Sequence, residues 1–270
     1  MKLKKVILGV ILSASLLALI FSSYKLIRYK LESDYTNNQI IELEKIANIE
    51  EFDDEDNNDE NICGEHGESC DDMYWKYLKT PFIDVDLSAL KKENYETIGW
   101  IQVLGTNINY PFVQTSDNHF YLYHSFDNSI NSAGWVFLDY RNSNLLTDTN
   151  NIIYAHGRLD NTMFGSLRNL LKTEWINNPE NYLIRTKTEN NSSVWQIFSV
   201  YVIPTTSDYL QTNFYSDYEK TNFLNFLKNR SQYRFNTEVS GSDKIITLST
   251  CYDDYSRMVV HAKLIKSSQN

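Results

Sequence analysis

Short apolar segments separated by turn residues run from Gly99 almost to the C-terminal end of the chain. Many of their residues are β-branched or aromatic, as in β-strands: 100–103, 108–113, 134–138, 151–154, 182–185, 194–202, 245–248 and 258–265. Only residues 161–171 and 216–230 show helical spacing of apolar residues in this region. Many short strands with few helical insertions predict a mainly β fold with a closed or nearly closed barrel.

The N-terminal residues do not belong to this barrel. Residues 6–24 form 19 consecutive uncharged positions, close to the ~20 that span a bilayer. The alternative is a cleaved signal peptide, but no Ala-x-Ala site follows the apolar run. We therefore expect a retained anchor at 6–24, preceded by a cytoplasmic tail at 1–5. Basic residues flank both ends, so the charge count does not orient the span.

The acidity of the chain is confined to one segment. Residues 50–72 hold twelve Asp or Glu and no Lys or Arg, which leaves 23 acidic and 25 basic residues elsewhere. Nothing in the charge of the near-neutral remainder suggests nucleic-acid binding, and we expect none. Residues 25–49 have a helical apolar face, so we assign 25–72 to a stalk and acidic linker. The folded domain is expected at 73–270, with Asp86 capping a short helix near its start.

Two of the three cysteines, Cys63 and Cys70, lie within the acidic segment. They could close a small disulfide loop outside the cell, or bind a metal together with His66, although the spacing matches no strong zinc pattern. The third reading is a solvated linker with two incidental thiols. Cys251 is then the odd thiol and the candidate for reactivity.

Cys251 ends one predicted strand, and Arg257 directly precedes the last one. The two residues therefore lie at the facing ends of consecutive strands. A permanently charged guanidinium can stabilise either a thiolate or the oxyanion formed during acyl transfer. The alternative is a structural cysteine beside a surface arginine.

Nucleophilic cysteines usually work with an imidazole, and the chain offers five. His156 follows the apolar run 152–155 and precedes Gly157, at the kind of strand-to-loop junction where catalytic side chains occur. His66 lies in the acidic linker. His261 is four residues beyond Arg257, roughly 13 Å along the strand, too far to share its site. His119 and His124 follow no strand directly, so His156 is the preferred base.

These residues resemble the conserved segments of the sortases, membrane-anchored cysteine transpeptidases of Gram-positive bacteria. Residues 247–251, TLSTC, with Arg257 resemble the family's cysteine and arginine signature, and residues 154–157, YAHG, resemble its histidine segment. Residues 100–101, 110–114 and 139–142, and the helix before the cysteine strand, are similar to class B. The resemblance covers about residues 74–266. It implies a closed barrel of about eight strands with N-terminal helices.

The resemblance implies a reaction and its residues. Cys251 would attack the carbonyl of a threonine in a C-terminal sorting motif and form a thioester. His156 would transfer protons, and Arg257 would bind the oxyanion, with no metal or organic cofactor required. The acceptor would be an amine of peptidoglycan or of its lipid-linked precursor. A substrate groove would be lined by Asn118, Leu122, Tyr154, Thr205, Tyr209, Leu210 and Ser249.

Two features depart from the class B pattern. The arginine follows the cysteine by only six residues, and Tyr252 occupies a position that is often acidic. The acidic insert with its two cysteines also lies outside the pattern. The alternatives are a pilin-polymerising sortase or a cysteine hydrolase with the same three residues. A third alternative is a catalytically silent, membrane-tethered binding domain.

Overall fold

A computed structural model describes residues 2–53 and 73–269, with the side chains of residues 3–53 and 73–268. The described helices are α1 (Lys2–Ala47), α2 (Met73–Leu78), α3 (Leu87–Glu93), α4 (Thr173–Ile176) and α5 (Asp217–Asn229). Single 3₁₀ segments occur at Phe120–Leu122, Gly165–Leu171 and Pro179–Asn181. Asp86 caps α3 by accepting a hydrogen bond from the Ala89 amide at 2.9 Å, as predicted.

Ten strands are described, and eight of them close a barrel. Glu50–Phe52 (β1) and Phe82–Asp84 (β2) form a separate antiparallel pair. The barrel runs in the spatial order β10-β8-β7-β3-β4-β5-β6-β9 and closes between β9 and β10. Its strands are β3 (Thr97–Val103), β4 (Asn109–Val113), β5 (Phe137–Leu138), β6 (Asn150–Tyr154), β7 (Leu183–Thr188), β8 (Asn191–Pro204), β9 (Ile245–Cys251) and β10 (Ser256–Gln269).

Most barrel pairs are antiparallel, but β4 pairs with β5 in parallel, and so does β6 with β9. Tyr154 lies opposite Ser249 in their register, so the residues that follow β6 emerge beside the end of β9. The final pair, β9 and β10, is antiparallel and sets Arg257 opposite Cys251. Large apolar side chains fill the core, among them Trp100, Phe112, Trp135 and Trp195, each at most 1% exposed. The closed eight-stranded barrel confirms the predicted fold class.

The structure differs from the sequence expectation in two segments. Of residues 134–138, only Phe137 and Leu138 form a strand, because Gly134 has φ +60° and the Trp135 amide donates to the Tyr121 carbonyl instead. Residues 161–171 form a 3₁₀ segment only from Gly165. Asn161 and Met163 have φ values of +62° and +51°, which no right-handed helix allows.

Helix α1 has two parts with different surroundings. The apolar side chains of its N-terminal part are exposed. Among the described residues, α1 is the one helix long and apolar enough to span a membrane. Its C-terminal part lies against the barrel, where Leu43 and Ala47 are buried. Asn109 donates to Glu44 at 2.8 Å, and Asn131 donates to Thr36 at 3.1 Å. The sequence assigned residues 25–72 to a stalk, whereas the part of α1 from Tyr29 to Ala47 contacts the barrel.

This packing predicts how two truncated proteins will differ. A protein that begins at Arg28 keeps the barrel contacts of α1, whereas one that begins at Met73 loses them and also loses β1. Removing a buried leucine side chain such as Leu43 alone costs roughly 2–5 kcal/mol. We therefore expect the shorter protein to unfold at a clearly lower urea concentration. Equal unfolding midpoints would instead support a catalytic domain confined to residues 73–270.

Candidate active site

Cys251 and Arg257 face each other across the last two strands. Residues 252–255 join them in a tight turn, in which Asp253 accepts from the amides of Tyr255 and Ser256 at 2.8 and 2.7 Å. Cys251 is a free, exposed thiol. The guanidinium of half-buried Arg257 donates to the Ser256 carbonyl at 3.1 Å, and no carboxylate in the described part of the chain forms an ion pair with it. Arginine carries five N–H donors, so others stay available for an anion.

His156 follows β6 by two residues and so lies beside the end of β9. Its Nε2 is 2.8 Å from the Leu122 carbonyl oxygen. Because a carbonyl oxygen only accepts, Nε2 carries a proton in the neutral ring and Nδ1 is left to exchange protons with a reacting group. The Thr250 hydroxyl donates to the Ala155 carbonyl at 2.8 Å, which ties the two strand ends together just before His156 and Cys251.

Gly157 permits this close approach of the two strand ends. A Cβ atom at position 157 would lie 2.0 Å from the Cys251 carbonyl oxygen, a distance that no side chain tolerates. Any larger residue would push the His156 loop away from the cysteine. The small residue in the YAHG segment is therefore a requirement of the backbone geometry.

A groove of about 420 Å³ contains the three candidate catalytic side chains. The structure brings all ten predicted site residues to this groove. Its walls also include four residues that the sequence did not single out: Phe137, Ala155, Thr206 and Thr250. Phe137 and Ala155 carry no chemical signal in a sequence, because apolar residues of a groove and of a core look alike. The roles of the predicted residues stay predictions.

A buried carboxylate organises one wall of the groove. Asp139 has a fully buried side chain that accepts from Arg141 at 2.7 and 2.9 Å, from the Tyr154 hydroxyl at 2.9 Å and from the Asn118 amide at 3.0 Å. Burial raises the pKa of Asp139, but the hydrogen bonds and the charge of Arg141 outweigh it, and the pKa is lowered overall. The sequence marked residues 139–142 as a pattern without a role. The structure shows that Asp139 fixes two groove side chains.

The floor of the groove rests on a second polar network. The Tyr209 hydroxyl lies 2.9 Å from the Ser249 hydroxyl. Beneath them His261 is fully buried between the hydroxyls of Tyr201 and Thr247, each at 2.8 Å. Burial lowers the pKa of His261 to about 3, so this histidine is neutral and structural. It does not line the groove.

The other histidines also lie apart from the groove. His119 is exposed and contacts Tyr123, while the His124 ring stacks on Phe120 at 3.9 Å between centroids. His66, Cys63 and Cys70 lie outside the described residues, so the predictions made for them stay predictions. Within the described ranges, no cluster of three His, Cys, Asp or Glu side chains could hold a metal.

Comparisons with known proteins decide the family. Residues 101–265 match the family model for the sortase domain. Sortase B of Listeria monocytogenes is 38% identical over 184 residues, which cover 67% of this chain and 74% of that protein. Sortase B of Staphylococcus aureus is 36% identical over 184 residues, with coverages of 67% and 75%. The chain belongs to the sortases, class B.

Solved structures agree with this assignment. A sortase B from Bacillus anthracis in complex with AAEK1 matches with a TM-score of 0.70 and 30% identity, over 87% of this chain and 99% of that chain. A Staphylococcus aureus sortase B–substrate complex matches with a TM-score of 0.62 and 35% identity, over 66% of this chain and 84% of that chain. Sortases are cysteine transpeptidases, and this chain is an enzyme of that kind.

The departure at Tyr252 has a local explanation in this sortase. Arg168 donates to the Tyr252 carbonyl at 2.6 Å, and its guanidinium lies 5.5 Å from the centre of the Tyr252 ring. An acidic residue at this position would form an ion pair with a guanidinium. A tyrosine ring can contact the guanidinium through a cation–π interaction instead. This contact holds the short turn between Cys251 and Arg257 against the 3₁₀ segment that carries Arg168.

Asp139→Asn tests the buried carboxylate. We expect a higher KM for a substrate peptide, about tenfold for each 1.4 kcal/mol lost, because Tyr154 and Asn118 lose their shared acceptor. The alkylation rate of Cys251 by a small thiol reagent should stay near that of the parent. Asp148→Asn is the matched control, since Asp148 accepts from Asn142 and Ser143 and contacts no groove residue. An unchanged KM in Asp139→Asn would contradict the role.

The lowered pKa of Asp139 also predicts a pH effect. A carboxyl whose pKa is lower in the folded state stabilises the fold above its unfolded pKa near 3.9, and this contribution disappears as pH falls through the folded value. We expect the free energy of unfolding, measured in urea, to fall more steeply in acid for the parent than for Asp139→Asn. Parallel curves for the two proteins would show that the charge does not contribute.

Proposed function

We propose that this sortase cleaves a C-terminal sorting motif of secreted proteins after threonine and transfers the acyl group to a cell-wall amine. One observation carries the proposal: one open groove contains a thiol, an imidazole and a guanidinium. In the described part of the chain, no carboxylate forms an ion pair with this guanidinium. The acceptor is an amine of peptidoglycan or of its lipid-linked precursor. The protein is anchored by residues 6–24, with the catalytic domain outside the cell. No nucleic acid takes part.

The first half of the reaction forms the acyl-enzyme. The Cys251 thiolate attacks the threonine carbonyl, and the oxyanion of the tetrahedral intermediate accepts hydrogen bonds from Arg257. Protonated His156 then gives the Nδ1 proton to the leaving amine as the C–N bond breaks. A thioester and a free amine result. Nε2 stays bonded to the Leu122 carbonyl, so the ring keeps its orientation throughout.

The second half reverses these roles. An incoming amine attacks the thioester, neutral His156 accepts a proton at Nδ1, and the thiolate of Cys251 leaves as the new amide forms. Arg257 again contacts the oxyanion. The groove residues Asn118, Leu122, Tyr154, Thr205, Tyr209, Leu210 and Ser249 are proposed to hold the sorting motif. Their mainly apolar surface with a few hydroxyl and amide groups suits a short, weakly charged peptide.

Cys251→Ala and His156→Ala should each abolish peptide cleavage and amine transfer, because one removes the nucleophile and the other the proton carrier. The measurement is product formation by mass spectrometry, with a sorting-peptide library and candidate amines. His119→Ala is the matched control and should retain most activity, since His119 is exposed and lies outside the groove. Cleavage by Cys251→Ala above a trace would remove this thiol from the nucleophile role.

Arg257→Lys separates the oxyanion role from simple charge. Lysine keeps the charge but loses the planar set of donors. Loss of one oxyanion donor typically lowers kcat ~10²–10³-fold, and we expect a loss in this range. Arg185→Lys provides the control, because Arg185 pairs with Glu51 and neither residue lines the groove. Full activity in Arg257→Lys would show that charge alone suffices.

A further inference from the structure

Helix α1 joins the apolar segment to the barrel without a break. The uncharged run ends at Tyr24, and the first barrel contact is at Tyr29, whose ring lies 4.6 Å from the Arg158 guanidinium. Five helical residues extend about 7–8 Å. Each headgroup layer of a bilayer is roughly 5–7 Å deep. If residues 6–24 span the membrane, as proposed above, this end of the barrel therefore lies at the level of the lipid headgroups.

Two loops of the barrel meet the helix at this end. Asp160 and Arg158 belong to the loop after β6, where Asp160 accepts a hydrogen bond from Ser33. The other loop lies between β4 and β5, where Ser132 donates to Glu32 and Asp127 accepts from Tyr35. Hydrogen bonds to both loops fix the direction in which the apolar part of α1 leaves the barrel.

Each of these two loops exposes one large aliphatic side chain. Ile130 is 80% exposed and Leu159 is 83% exposed. In the described residues 73–268 no other Ile, Leu, Val or Met side chain is exposed. Single exposed apolar residues are common on protein surfaces. Here, however, both lie within three residues of a contact with α1, at the end from which the apolar segment emerges.

We propose that Ile130 and Leu159 dock this end of the barrel into the outer surface of the membrane that α1 enters. The basic residues Lys25, Arg28 and Lys30 lie on the connecting part of the helix and complement anionic phospholipids. Leu26, Ile27 and Leu31 are exposed in the same interval, at 70%, 60% and 64%, and add apolar surface at headgroup depth. The occupant of this surface is the lipid bilayer itself.

Docking at this end brings the groove close to the membrane. The parallel strands β6 and β9 both finish here, so His156 and Cys251 lie at the same end of the barrel as Leu159. The loop that carries Ile130 also carries Asn118 and Leu122, which line the groove. The proposed membrane surface and one groove wall are therefore parts of the same two loops.

Fluorescence in nanodiscs tests the docking. The full chain with Cys63→Ser, Cys70→Ser and Cys251→Ala receives one new cysteine, Ile130→Cys or Leu159→Cys, and an environment-sensitive fluorophore. The discs contain equal parts of phosphatidylcholine and phosphatidylglycerol. We expect spin-labelled phosphatidylcholine to quench both labels and aqueous iodide to quench them weakly. Ser242→Cys, exposed at the opposite end of β9, is the matched control and should show the reverse.

The outcomes separate docking from its rivals. Adding Ile130→Asp to the Leu159-labelled protein should abolish its quenching by lipid. Labels that iodide quenches as strongly as at Ser242 would overturn the docking. Labels shielded from iodide but not quenched by lipid would also overturn it and indicate contact with a second copy. Protein that does not co-purify with the discs would overturn the anchor and the docking together. None of these readouts requires catalytic turnover.

Discussion

The parallel pairing of β6 with β9 is the constraint on which the rest of the site depends. It sets Tyr154 opposite Ser249, so the residues beyond each strand end emerge side by side. The antiparallel step from β9 to β10 then adds Arg257 opposite Cys251. His156, which is far from Cys251 and Arg257 in the sequence, thus meets them through backbone register. Hydrogen bonds to strand ends orient them more precisely than a mobile loop could.

A buried charge supports the groove from behind. Asp139 would be costly to bury alone, and its four side-chain hydrogen bonds from Arg141, Tyr154 and Asn118 compensate for this cost. Neutral His261 performs a similar task under the floor, where it lies between two hydroxyls. Both groups are titratable, yet neither needs to change its protonation for the proposed reaction. Asp139 holds two side chains that are proposed to contact the substrate, and His261 supports the strands beneath the groove, so both roles are structural.

The sequence predicted the barrel, the strand ends and the grouping of ten site residues, because these follow from local patterns and from the family resemblance. It could not predict the interruption at Gly134, where a distant carbonyl of Tyr121 captures the next amide. It gave Asp139 no role, since the carboxylate acts through partners at positions 118 and 154. It treated residues 25–49 as a stalk, although the apolar face at Leu43 indicated a partner. An amphipathic pattern shows that a face is covered and does not show what covers it.

The short helical connection between the apolar segment and the barrel has a further physical consequence. If residues 6–24 span the membrane, as proposed, a flexible linker would let the groove sample many heights above the bilayer, whereas a continuous helix held to the barrel by buried Leu43 and Ala47 would set one height. A groove fixed near the membrane meets substrates held in the same membrane at a raised effective concentration. Weak contacts in the groove then suffice for capture, because the membrane has already removed much of the freedom that binding would cost. On this argument, a modest peptide affinity in solution is compatible with efficient transfer at the membrane.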